Sequence, residues 1–241
     1  MNRLYVALGD SMSIDDYAGG PGRGAAGLLH TNRDREFPGW AGRDLATDGW
    51  RTQILARDGA VTADVLTQIG QLHTPADLVT ITMGGNDLLA AYGDDTAAAH
   101  AVARAEAQAE GVLSRLRRHV TPSARIVVTT VYDPSDGTGM IPGSGLAPWP
   151  KGPDWIRTLN QALTSVAARH NALPADAHTH FHGHGVTAGD PSQSSPAPTN
   201  PDLWFCGVVE PNAHGAHHIR TVWWNTLFPA AHPDPGEPSP P

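Results

Sequence analysis

The chain is poor in cysteine: Cys206 is the only one among 241 residues. A single thiol excludes an internal disulfide framework and a metal site of the CxxC type. Positive charge is also scarce, with 16 Lys and Arg against 24 Asp and Glu and a formal net charge of −8. That balance leaves no electrostatic footprint for nucleic acid or anionic lipid, so neither is expected as a partner. Long apolar runs are missing too, and none reaches membrane-spanning length. The opening MNRLYVALGDS holds one arginine and a short apolar run that passes straight into a polar motif. Without a separate apolar region or a small-residue cleavage site, it reads as a strand and not a signal peptide, which predicts a cytoplasmic protein.

What is present suits a single α/β domain over residues 1–228. Hydrophobic residues make up 40% of the chain, enough for a buried core at this length. Short, nearly continuous apolar runs at 3–9, 52–56, 77–85 and 124–133 look like strands buried on both faces. LPADAH, residues 173–178, is a weaker fifth. Helical stretches are expected at Trp40–Thr47, Thr62–Gln71, Asp95–His119, Asp154–Asn171 and Pro211–Phe228. This alternation implies right-handed βαβ units and a mainly parallel sheet. A Gly-rich stretch (17–27), a Gly/Pro-rich one (134–153) and a Ser/Pro-rich one (187–202) read as long loops of the kind that carries binding surfaces. The Pro-rich tail over 229–241 reads as disordered.

LGDSMS follows the first strand directly. Gly9 permits a sharp turn, which would set Ser11 where the carboxyl end of the strand opens onto solvent. A serine before a helical segment also fits a helix cap. MGGND, residues 83–87, ends the third strand at the same edge, so parallel topology brings Asn86 toward Ser11. An amide there can donate to a developing oxyanion, although Gly-Asn-Asp strings also form ordinary turns. After the second strand, Gly59 in RDGAVTADVL offers a bare backbone N–H that a substrate oxygen could approach closely.

Taken together, these motifs resemble the SGNH (GDSL-type) hydrolases, over about residues 3–228. The resemblance implies a flavodoxin-like three-layer α/β/α sandwich with a five-stranded, mainly parallel sheet. It also implies ester hydrolysis through an acyl-serine with no cofactor, acting on a small-molecule ester with a small or medium acyl group. Ser11 matches the nucleophile of the family, and Gly59 and Asn86 match its oxyanion donors beside the N–H of the serine. The last motif departs from the pattern. The family closes with Asp-x-x-His-Pro-Asn, whereas GVVEPN here puts Gly207 in the acid slot and Glu210 in the base slot. An unassisted serine hydroxyl is a poor nucleophile near neutral pH, so another group must take the proton or the chain is a binding protein.

HTHFHGHGV, residues 178–186, supplies the candidates. In an extended conformation, His178, His180, His182 and His184 would share one face, a possible metal site that Glu210 and Asp10 could complete. That would make a metal-dependent hydrolase; the favoured reading holds no metal. Glycines 183 and 185 free the backbone to aim an imidazole inward, which favours His184 as the base, then His182, with His214 in the last helix a third choice. Glu210 would orient His184 or act directly in a Ser–Glu dyad if burial raises its pKa.

Overall fold

The computed structural model describes residues 3–141, 144–188, 202–207 and 209–229. Five parallel strands form the sheet: β1 (Leu4–Leu8), β2 (Arg51–Ile54), β3 (Ala76–Thr82), β4 (Val120–Thr129) and β5 (Leu173–Ala175), in spatial order β2-β1-β3-β4-β5. Successive side chains of a strand point to opposite faces, and the core divides accordingly. Leu4, Val6 and Leu8 pack with Val79 and Ile81 on one face, under α2 (Asp64–Ile69), α4 (Asp95–Leu116) and α5 (Gly152–Arg169). Tyr5 and Ala7 pack with Leu78 and Val127 on the other, against α1 (Ala25–His30), α6 (Ala177–Phe181) and α7 (Ala213–Leu227). The result is the three-layer α/β/α sandwich expected from the sequence. Among the described residues, no helix is long and apolar enough to cross a membrane.

Chain order reverses at β1, with β2 laid on one side and β3 on the other. Such a switch point opens a crevice beyond the carboxyl ends of the strands. The turn after β1 and the turn after β3 therefore flank one crevice by topology alone.

Several elements differ from expectation. Strand β2 is an edge strand with mostly exposed residues, not one buried on both faces. No α-helix forms over Trp40–Thr47, where a single 3₁₀ turn at Pro38–Trp40 gives way to irregular turns. Gly42 sits there at φ +75, and the Asp44 carboxylate takes the N–H groups of Asn32 and Thr47 at 2.9 and 2.8 Å. Side-chain bonding of this kind competes with a helix. The helix on that side is α1, within and just beyond the Gly-rich stretch read as loop. Its buried Ala25, Ala26, Leu28 and Leu29 justify it.

A short helix α3 (Gly85–Leu89) begins at Gly84, whose φ is +94. Strand β5 stops at Ala175 because Asp176 caps α6, accepting from the Thr179 N–H at 3.0 Å. His178 and His180 thus lie on a helical turn and not along a strand face. A two-stranded antiparallel ribbon, β6 (Phe205–Cys206) and β7 (Glu210–Pro211), precedes α7. The tail expected to be disordered lies, from residue 230 on, outside the described residues, as do residues 189–201 of the Ser/Pro-rich stretch.

Candidate active site

The turn that carries Ser11 is held from three sides. Gly9 has φ +117, and a Cβ there would lie 1.8 Å from the Thr82 carbonyl oxygen, so only glycine fits. The Gly9 N–H donates to Gln68 Oε1 at 2.7 Å, and Gln68 Nε2 donates back to the Gly9 carbonyl at 2.9 Å. Thr82 Oγ1, from the end of β3, accepts the Asp10 N–H at 3.1 Å and lies 3.0 Å from Ser13 Oγ. Asp10 in turn caps the single 3₁₀ turn Ser11–Ser13 by accepting the Met12 N–H at 3.1 Å. The nucleophile candidate is therefore inside the turn, and the capping role falls to the residue before it.

Ser11, Asp10, Asn86 and Glu210 all line one open cleft of about 770 Å³. Its remaining wall is largely apolar, with Met12, Leu88, Leu89, Val131, Trp149 and Ile156 prominent. Asn86 lies in the first turn of α3 and donates through Nδ2 to the Ala60 carbonyl at 3.0 Å. That amide carries two N–H groups, so one remains for a ligand in the cleft. Gly59, at φ +68, is exposed in the turn next to Ala60 and is not among the residues that line the cleft.

Glu210 comes to the cleft on β7. Burial raises its pKa, the neighbouring Asp58 and Asp10 add to the rise, and the adjacent Ser11 hydroxyl opposes it. Its Oε2 is buried and has no hydrogen-bond partner among the described residues. Such a group is uncommon in a folded protein and calls for a role. Asp10 is similarly perturbed, with burial pushing its carboxyl up from 3.8 to about 6 against the pull of its hydrogen bonds.

No histidine is among the described residues that line this cleft. The expected relay through His184 is not assembled, because that imidazole is engaged elsewhere. His184 Nδ1 lies 2.8 Å from the Asp202 carbonyl, and its ring stacks on Trp204 at 3.5 Å. The opposite face of Trp204 stacks on His218 at 3.6 Å. His180 Nε2 meets His218 Nδ1 at 3.1 Å. Burial, reinforced by the surrounding imidazoles, drives His218 down to about 3. These packed rings fasten α6 and the segment at 203–205 onto α7.

His182 is exposed at the end of α6. His214 sits half-buried in the first turn of α7, its N–H bound by the cap residue Asn212 at 2.9 Å. Among the described residues, no three His, Cys, Asp or Glu side chains converge in a way that could hold a metal ion.

Similarity to known proteins fits this geometry. The model of the GDSL-like lipase/acylhydrolase family matches residues 7–217. The chain belongs to that family. No curated protein sequence matches it. Among solved structures, it resembles an extracellular lipase from Streptomyces rimosus, at 23% identity and TM-score 0.64, covering 93% of this chain and 99% of the lipase. A phospholipase A1 from Streptomyces albidoflavus NA297 is 25% identical with TM-score 0.61, over 94% of this chain and all (100%) of that one. A catalytic mutant of an acetylxylan esterase from Geobacillus stearothermophilus matches at 17% identity and TM-score 0.62, over 95% and 96% of the two chains. The fold is common to all three.

Three supporting residues escaped sequence reasoning: Gln68, Thr82 and Trp204. Gln68 carried a usable signal, a polar side chain in register with the buried Val65 and Ile69 of α2. The others act across long stretches of chain, where local pattern is silent.

Proposed function

We propose that this family member hydrolyses carboxylic esters with an apolar acyl group, through an acyl–Ser11 intermediate, with Glu210 as the proton-transfer group. The observation that carries this reading is the Glu210 carboxylate beside the Ser11 hydroxyl, with its second oxygen buried and, among the described residues, without a partner in a cleft that no described histidine lines. Glu210 as carboxylate takes the Ser11 proton while Oγ attacks the ester carbonyl carbon. The oxyanion so formed is held by the free Asn86 N–H and the backbone N–H of Ser11, with Gly59 as the third donor if its exposed turn closes on substrate. The tetrahedral intermediate then collapses: the carbon–alkoxy bond breaks, and the protonated Glu210 returns its proton to the leaving alcohol. A water, deprotonated by Glu210, then attacks the acyl carbon; the carbon–Oγ bond breaks, Glu210 returns that proton to Ser11 Oγ, and the acid is released. A raised pKa suits this double duty, since a proton carrier works best with a pKa near the operating pH.

The apolar wall formed by Leu88, Leu89, Val131, Trp149 and Ile156 favours an acyl chain over a sugar or a charged group at this end of the cleft. Loss of the family histidine supports a second reading, a binding protein that keeps the cleft without turnover. Two measurements separate them. A hydrolase will label at Ser11 with a fluorophosphonate and turn over p-nitrophenyl esters, and Ser11→Ala will abolish both while leaving the fold intact. Turnover that survives Ser11→Ala rules out the acyl-serine mechanism.

A further inference from the structure

Tyr132 is a residue that neither the family motifs nor the chemistry above uses. It follows β4 by three positions, at the sheet edge that carries Ser11, and it is only 5% exposed. Its hydroxyl donates to the Val209 carbonyl at 2.7 Å. Val209 is the residue immediately before Glu210, so this bond ties down the peptide unit that delivers the carboxylate.

The Tyr132 ring grips the same ribbon from a second direction. It lies stacked on Phe181 at 4.8 Å and edge-on to Phe205 at 4.7 Å. Phe205 is the cross-strand partner of Pro211, the residue immediately after Glu210. Tyr132 therefore holds the ribbon by a hydrogen bond to the residue before Glu210 and by ring packing on Phe205, the cross-strand partner of the residue after it. The ribbon needs such help. Each strand has two residues, far below what a hairpin requires to stand alone. Asn212 secures only its far end, donating through Nδ2 to the Leu203 and Phe205 carbonyls and through its N–H to the Trp204 carbonyl. The phenol stays a neutral donor throughout, because burial and the facing carboxylates of Glu210 and Asp10 raise its pKa well above the usual 10.

We infer that Tyr132 is a positioning residue, whose hydroxyl sets the placement of the Glu210 carboxylate against Ser11 by anchoring the Val209 carbonyl. This rests on Glu210 being the proton-transfer group. It predicts a kinetic effect that a packing role would not produce. A displaced catalytic group loses rate more than affinity, roughly 10–100-fold for shifts of the order of an ångström. Residues that act as a unit also fail together, and their losses do not add.

Tyr132→Phe keeps the ring and its packing while deleting the hydroxyl, and is the variant to make. In the full chain it is expected to lower kcat on a p-nitrophenyl ester by roughly tenfold or more, with KM nearly unchanged. The rate of fluorophosphonate labelling at Ser11 should fall in step. Added to Glu210→Gln, it should cost nothing further. Wild-type kcat for Tyr132→Phe, alongside an inactive Glu210→Gln, overturns the positioning role and leaves the Glu210 reading standing. An active Glu210→Gln variant removes the Glu210 reading itself. An equal loss from Tyr132→Phe with or without Glu210 shows that the hydroxyl acts by another route and also overturns the inference. A change in thermal stability with kcat intact assigns Tyr132 to packing alone.

Discussion

Asp10 is the sharpest test of the electrostatics at this site. The residue is 2% exposed, and burial moves its carboxyl pKa from 3.8 to about 6. The sign follows from linkage. A carboxyl with a folded pKa above its unfolded value binds protons more tightly in the native state, so its charged form is a burden on folding. That burden is absent well below 3.8, grows as pH rises and is complete above about 6. At about 1.4 kcal/mol per pKa unit, the full cost is about 3 kcal/mol, of which about 1 is already present near pH 4.5. Asp10→Asn keeps an oxygen to accept the Met12 N–H and removes the titration. Urea unfolding of both proteins should show the variant gaining about 2 kcal/mol relative to wild type between about pH 4.5 and pH 8. A stability difference that does not change with pH would refute the reasoning, since only a group titrating in this window can produce the slope. The same substitution carries a kinetic signature. Asp10 contributes to the raised pKa of Glu210, so its removal should shift the acid limb of kcat/KM to lower pH.

The remaining outcomes concern the reaction itself. Glu210→Gln should lose turnover, whereas His184→Ala should stay active, because His184 is occupied by Trp204 and the Asp202 carbonyl; the reverse pattern restores the histidine relay. Glu210 works as the carboxylate and its pKa is raised, so wild-type kcat/KM should fall as pH drops through a limb above the ordinary glutamate range, and pH–rate profiles will show it. Asn86→Ala should lower kcat by roughly 10²–10³-fold with KM broadly similar, the usual effect of losing one oxyanion donor; a rise in KM alone would make the amide a ground-state contact.

Much of the site was legible because the chemistry sits at strand ends. Ser11 after β1 and Asn86 after β3 could be placed at one edge of the sheet from the parallel rule alone, and the order of the strands then makes them neighbours. Glu210 could be placed near Ser11 because Pro211 and Asn212 anchor the register of the last motif. The histidine stretch was not legible in the same way. Its alternation invited a strand reading, but Asp176 caps a helical turn over 177–181 and rotates those side chains onto α7. What decides the fate of His184 is Trp204, twenty residues on, and nothing local to HGHG announces that contact.

The residues alone determined the alternation of strands and helices and hence a mainly parallel sheet, because continuous apolar runs and amphipathic stretches can be read locally; the three-layer sandwich came with the family resemblance. The residues also marked Gly9 as the place of a sharp turn, whereas its need to lack a Cβ beneath the Thr82 carbonyl is set by the tertiary structure. Tertiary structure decided which titratable group faces Ser11. Burial, orientation and hydrogen-bond competition are properties of the assembled site, and they left Glu210 with a buried oxygen that has no partner among the described residues while engaging His184 on an indole ring and a backbone carbonyl.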